Sequence, residues 1–254
     1  EHTAKILEQA FQGDIKTFRE ASFDALEAID EIGPIVAESI IRFWENEANK
    51  EIVEACTKRI LDIGEEQTST ALARIPDGSW EAENWMDNDG VGKAPVRVHV
   101  TVSKSQNNMT FDFTGSDDQV AGPLNLSFGM TQSASRIAFK CVTTPNEPSN
   151  GGQFRNCNVV APPGNLFHAI YPAPVFTIWA GVTGLETIFM ALAEALPGEV
   201  PAGSGGDLGD PGFYGKEPVT GRQVWHQTNA GVGWGARANQ DGLNTTHHIS
   251  MSTV

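Results

Sequence analysis

Cationic side chains are scarce in this sequence: 17 Lys and Arg stand against 32 Asp and Glu, a net charge of −15. Affinity for nucleic acid or anionic lipid draws largely on cations, so bulk electrostatics disfavours both. Cysteine is scarcer still, with Cys56, Cys141 and Cys157 forming no C-x-x-C pair and leaving one thiol unpaired. That pattern carries no zinc signature and fits a reducing cytoplasm. No G-x-x-x-x-G-K-[ST] phosphate loop occurs, and spacing alone supports no Ser–His–Asp or Cys–His set. The start, E-H-T-A-K-I-L, lacks both an apolar signal region and an initiator Met, as expected of a fragment or a processed product. The most apolar run, Val175 to Leu196, is interrupted by Glu186, Glu194 and two glycines, which argues against a membrane span. A buried helix ending at Pro197-Gly198 is expected there.

What is present is a core: 40% of the 254 residues are hydrophobic, too many for a disordered chain. Glycine and proline divide it unevenly. Residues 1–70 hold three glycines and one proline, and the other 23 glycines and 13 prolines follow. A helical first part and a strand-and-loop remainder make an α+β chain.

The clearest pattern runs from Val96 to Asn125. Val96, Val98, Val100 and Val102 alternate with Arg97, His99 and Thr101, the period of a half-buried strand. A polar turn over 103–108 leads to Met109, Phe111 and Phe113, which alternate with Thr110, Asp112 and Thr114. This is a hairpin with one apolar face and one polar face. It delivers the chain into a glycine-bearing loop from Gly115 to Asn125, suited to presenting amides and short polar side chains.

Upstream, Ala4 to Phe11 reads as a helix, and Ser22 can cap another over Phe23 to Ile29. In I-D-E-I-G-P-I-V-A-E-S-I, Gly33 permits a tight turn, Pro34 suits a first helical position, and Ala37 allows close helix packing. This is a helix-hairpin-helix pattern. Glu47 to Ile75 reads as one long helix with Ile52, Cys56, Ile60, Ile63, Ala71 and Ile75 at 3–4 spacing. Further on, a helix is expected over Thr131 to Cys141, a loop over 145–152, and a strand over Phe154 to Val160. Gly231, Gly233 and Ala236 match a G-x-G-x-x-A pattern after a strand expected over Gln223 to Ala230. A turn-like A-R-A-N-Q-D-G follows where that motif needs a helix, so the match is treated as chance.

The run F-D-F-T-G-S-D-D-Q-V-A-G-P-L-N resembles the signature stretch of the hydantoinase B/oxoprolinase family. So do I-L-D-I-G-E-E-Q-T, I-P-D-G-S-W-E-A-E and D-N-D-G-V-G, in that order. Residues 1–50 resemble instead the helix-hairpin-helix region of NAD-dependent DNA ligases. No K-x-D-G nucleotidyl-transfer motif accompanies it. The expected organisation is a helix-hairpin-helix module over 1–54 and a hydantoinase B-like body over 55–254, truncated at both ends. Two families meeting inside one helix suggest a fusion, and a non-functional chimera is one of three expectations.

The first resemblance implies a subunit of an ATP-dependent hydantoinase- or oxoprolinase-type amidohydrolase, or a related carboxylase, inactive alone. It implies a partner hydantoinase A-like subunit that handles ATP, an oligomeric assembly, and a divalent metal held by residues upstream of this segment. No cofactor is therefore expected on this chain and no metal ligands are assigned. Candidate substrate-binding residues, placed by the family-like motifs and their polar turns, are Asp112, Thr114, Gly115, Ser116, Asn125, Asn150 and Asp207. The second resemblance implies nonspecific contact with duplex backbone through Gly33, Ile35 and Val36. With 13 acidic and 5 basic side chains in residues 1–54, that contact is expected to be weak. His247 and His248 are adjacent, so on a strand they face opposite sides and cannot chelate one metal. His99 and His226 read as strand surface residues.

Overall fold

The computed structural model describes residues 2–175, 178–203, 212–227, 233, 235–242 and 244. It is α+β and divides into two compact units, Glu1–Asp62 and Ile63–Val254. The boundary falls inside one continuous helix.

The first unit is helical: α1 (His2–Ala10), α2 (Ile15–Arg19), α3 (Phe23–Glu27), α4 (Pro34–Glu45) and the first part of α5 (Glu47–Leu72). Local chemistry sets the starts. Ser22 accepts a hydrogen bond from the Ala25 amide at 3.2 Å, and Asp14 accepts from the Lys16 amide at 2.9 Å. Such caps satisfy first-turn donors that have no partner within the helix. Gly33 is the residue before α4, with Pro34 in its first turn. Beside that turn Glu31 adopts φ 66°, a left-handed conformation that a side chain disfavours and a glycine would not. Leu26, Ile32 and Ala37 form the buried centre, covered by Ile6, Leu7, Phe11, Phe18 and their neighbours.

The expected apolar stripe of α5 is only partly a core face. Ile52, Cys56, Ile60 and Ile63 are exposed, while Ala71, Leu72 and Ile75 are buried in the second unit. The 3–4 spacing marks the helix correctly, but the face that carries Ile52, Cys56, Ile60 and Ile63 stands exposed.

In the second unit, β1 (Gly78–Met86), β2 (Val96–Ser105), β3 (Asn108–Asp112) and β4 (Cys157–Val160) form a sheet in that order. The hairpin pairs as the alternation requires, Val102 opposite Phe111 and Thr101 opposite Asp112. β1, which the sequence does not announce, adds antiparallel to β2. β4 runs parallel to β3, which requires a crossover, here α6 (Phe128–Thr143). α7 (Trp179–Leu192) and α6 cover the apolar face. There Val98, Val100, Val102, Phe111, Phe113, Phe139, Phe167 and Ile188 are buried. Phe113 and Phe167 stack at 4.3 Å between centroids. Gly184 lets α7 approach them: a Cβ there would lie 2.7 Å from Phe167.

Several expected elements are shorter than the sequence suggests: α3 ends at Glu27 rather than Ile29, and α5 at Leu72 rather than Ile75. The strand over Phe154 to Val160 begins only at Cys157, because Gly151–Phe154 forms a 3-10 helix capped by Asn150. Among the described residues of the apolar run from Val175, the helix spans Trp179–Leu192. Beyond it, β5 (Gly212–Lys216) and β6 (Gln223–Gln227) pair antiparallel. Among the described residues no helix is long and apolar enough to cross a membrane.

Candidate functional site

At the end of β1 the chain enters the loop Asp87-Asn88-Asp89-Gly90, which is tied inward by its second aspartate. The Asp89 carboxylate accepts from the amides of Val91 at 2.9 Å, Gly92 at 2.5 Å and Gly122 at 2.8 Å. Those amides, Gly92 first, then Val91 and Gly122, hold its carboxyl below the ordinary value of 3.8, because they favour the ionised form. Asp89 is buried, and Gly122 meets it so closely that a Cβ would lie 1.7 Å from the Asp89 carbonyl oxygen.

The other side of this junction is held by Asn125, fully buried. Its Oδ1 accepts from the Val120 amide at 2.7 Å, and its Nδ2 donates to the carbonyls of Val120, Gly122 and Pro174. Pro123 and Leu124 are thereby fixed as a wall. Between that wall, the 87–90 loop, the end of β1 and the start of α7 lies a cleft of about 480 Å³. Its lining includes Asn84, Trp85, Asp87, Asn88, Trp179 and Thr183. Trp85 is 53% exposed and Trp179 38%, a large amount of open indole surface for two tryptophans bordering one cleft. Asp87 is exposed and pairs with no side chain among the described residues. A few polar groups beside aromatic faces in a concavity of this size are the usual ingredients of a small-molecule site.

Of the second-unit residues singled out from sequence, none that the structure describes lines this cleft. Asp112 accepts from the Thr114 amide at 2.8 Å, closing a local turn. Thr114 is exposed. Gly115 lies against His99, where a Cβ would sit 2.3 Å from the ring Nδ1. The Ser116 hydroxyl accepts from the His99 amide and donates to its carbonyl, both at 2.9 Å. Asn125 supports the wall of the cleft from beneath. Asn150 accepts from the Gly152 amide at 2.9 Å and packs on Gly64. Asp207, His247 and His248 lie outside the described residues.

His99 departs from the surface position expected of it. Its side chain is 16% exposed, Nε2 stands 3.5 Å from a Glu81 carboxylate oxygen, and Nδ1 is buried without a partner. Beside it Arg97 donates to Glu83 at 2.8 and 2.9 Å and to the Gly115 carbonyl at 3.1 Å. Of the hairpin candidates in the first unit, Gly33 has open space around it and Ile35 is 82% exposed. Val36 donates its amide to the Gly33 carbonyl at 3.0 Å.

Trp85, Asp87, Asp89 and Trp179 carry no individual signal in the sequence. D-N-D-G-V-G stands out as a motif, but nothing local shows that it meets Gly122. Among the described residues no three His, Cys, Asp or Glu side chains are grouped to hold a metal ion.

Comparison with known proteins supplies the context. A helix-hairpin-helix model matches residues 1–53. Over 53 residues the chain is 49% identical to a DNA ligase of Geobacter sulfurreducens, covering 21% of this chain and 8% of the ligase. The B component of a D-/L-hydantoinase, so named in Pseudomonas sp., is 28% identical over 214 residues, 79% of this chain and 36% of that protein. This chain thus spans about a third of that relative's length. The ATP-dependent caprolactamase of Pseudomonas jessenii superposes with TM-score 0.70 at 20% identity, over 87% of this chain and 39% of its own. An acetone carboxylase in its nucleotide-free form gives TM-score 0.62 at 14% identity, over 88% of this chain and 34% of that one. These two likenesses concern the fold. The hydantoinase B/oxoprolinase model matches residues 36–254, beginning inside α4 and running to the last residue, and the chain belongs to that family.

Proposed function

We propose that this chain is part of a B-type component of an ATP-dependent cyclic-amide hydrolase, hydantoinase- or oxoprolinase-like, that works with an A-type partner. The observation that carries this reading is the meeting of two family-like motifs, D-N-D-G-V-G and Q-V-A-G-P-L-N, at one cleft through the Asp89–Gly122 hydrogen bond. The amide group of a cyclic amide is planar, and each ring N–H donor lies beside a carbonyl acceptor. Trp85 and Trp179 offer apolar faces for the ring, the Asp87 carboxylate can accept from the N–H, and an Asn88 or Asn84 amide can donate to the carbonyl. These residues bind and orient. Opening a ring amide also needs an activated nucleophile or a phosphorylated intermediate, and stabilisation of the oxyanion. In this reading those come with the ATP-handling partner and the rest of the B-type component, in a reducing cytoplasm.

A coupled phosphate-release assay with hydantoin or 5-oxoproline, ATP and magnesium tests the reading. The chain alone gives no release above buffer. The same chain with an A-type partner and the remaining segment of the B-type component turns over, and Trp85→Ala lowers that turnover. Turnover by the chain alone, or full activity in Trp85→Ala, would overturn it.

A second reading concerns residues 1–53, a weak nonspecific contact with duplex DNA. It is favoured by the open turn at Gly33, the exposed Ile35 and the absence of a side-chain cap on α4, which leaves turn amides for phosphate oxygens. A gel-shift titration at two salt concentrations checks it: binding is weak and disappears at physiological salt. Binding that persists there would contradict the acidic balance of the unit.

A further inference from the structure

The first unit carries fourteen acidic and seven basic side chains, yet its cations are not spread evenly. Four of the seven, Lys16, Arg19, Lys50 and Lys58, line one cavity of about 390 Å³ between α2, the end of α4 and the first part of α5. The body of that cavity is apolar, with Ile15, Trp44, Val53 and Leu61 among its lining, and Glu54 is its one acid. Arg19 is partnered by Glu54 at 3.5 Å and Lys50 by Glu47 at 2.6 Å. Lys16 and Lys58 form no ion pair among the described residues. At the rim of this apolar cavity, inside a unit that is acidic elsewhere, Lys16 has only Asp14 of its own helix cap nearby and Lys58 has no acidic partner among the described residues.

The second observation is independent of charge. Trp44 is 8% exposed, and its indole Nε1 is buried with no hydrogen-bond partner. The ring is held edge-on by Phe18 and Phe43, at 5.7 and 5.1 Å between centroids. It forms a shared wall between this cavity and an adjoining one of about 490 Å³ that Arg19 and Lys50 also line. Buried indole N–H groups ordinarily have an acceptor, and this one has none from the protein.

We infer that this cavity is a binding site for a small carboxylate with an apolar body, unrelated to either the hairpin turn or the cleft of the second unit. The apolar lining, the Trp44 ring included, takes the body, and Lys16 and Lys58 at the rim balance the charge. The volume lies within the range of small-molecule sites. The surrounding acids, Glu20, Glu45 and Glu54 among them, select against a polyanion such as duplex backbone, while a single carboxylate is tolerated. Asp14 sets the geometry of Lys16 and Arg19, since its side chain caps the short helix that carries them.

The test uses the full chain labelled with ¹⁵N and titrated at pH 7 with octanoate, with 1-octanol as the uncharged counterpart. The Trp44 indole resonance is identified by its loss in Trp44→Phe. Octanoate moves it saturably with a dissociation constant below about 1 mM, and 1-octanol binds at least about tenfold more weakly. Lys16→Ala and Lys58→Ala each weaken octanoate severalfold and leave 1-octanol unchanged. If Trp44→Phe fails to fold, those two exposed lysine variants still decide, read by calorimetry. An octanol as strong as octanoate, a Trp44 resonance that stays still, or a duplex oligonucleotide that moves it at lower concentration than octanoate would overturn the inference.

Discussion

Replacing Gly122 by alanine adds one methyl group at the junction that shapes the cleft. The Cβ would lie 1.7 Å from the Asp89 carbonyl oxygen and 2.6 Å from its carbon, both backbone atoms that no rotamer change can move aside. Either the 87–92 loop or the 120–125 loop must retreat. Extra methyl groups forced into well-packed places cost about 1–3 kcal/mol. For a unit of this size, a shift of about 2–4 °C in Tm per kcal/mol turns that into a fall of roughly 2–12 °C. Gly129 is the control. It lies near the start of α6, its nearest neighbour is 4.0 Å away, and glycine in a helix is about 1 kcal/mol worse than alanine. Gly129→Ala should therefore hold or raise the melting temperature. Thermal unfolding followed by near-UV circular dichroism compares the two. Equal melting temperatures for Gly122→Ala and wild type would refute the close contact between the loops, and with it the construction of the cleft.

Phe111 is fully buried and meets Phe139 edge-on at 6.5 Å, so Phe111→Ala should destabilise by about 3–5 kcal/mol in chemical denaturation. Asp112→Ala, one residue on and on the polar face, should cost about 1 kcal/mol or less. Because the Asp89 carboxyl is held below 3.8 in the folded chain, its contribution is present above the unfolded value and lost as pH falls through the folded one. A melting-temperature profile from pH 6 down to pH 2 should therefore fall less steeply below about pH 3.8 for Asp89→Asn than for wild type. Burial pushes the Cys157 thiol up to about 12. Iodoacetamide at pH 8 should label the exposed Cys56 first, with mass spectrometry of the peptides as the readout.

Parts of this architecture could be read from neighbouring residues, and those parts held. The valine alternation of β2 and the Met-Phe-Phe alternation of β3 set a register that the structure keeps. Ser22 and Gly33 stand where helices begin because capping is a local matter. β1 was not legible. Its inward positions are Trp80, Ala82, Asn84 and Met86, opposite the buried valines of β2, and alanine, asparagine and glutamate are weak strand formers. The parallel β3–β4 pair depends on a crossover of more than forty residues, which no local pattern reports. Ile52 and Ile60 look like core and are exposed, since spacing shows which face a residue is on without showing what covers that face. The cleft was the least visible feature. Asp89 finds its partner 33 residues away, and Trp179 sits inside an apolar run that reads only as helix.

The most direct test of the central claim is whether the cleft at the Asp89–Gly122 junction takes a cyclic amide. The full chain, ¹⁵N-labelled, is titrated with hydantoin while the indole N–H resonances of Trp85 and Trp179 are followed. Both should move along one saturation curve, and Asp87→Asn should weaken binding by about tenfold, or about 1.4 kcal/mol. Indole resonances that stay fixed, or an affinity that Asp87→Asn leaves unchanged, would contradict it.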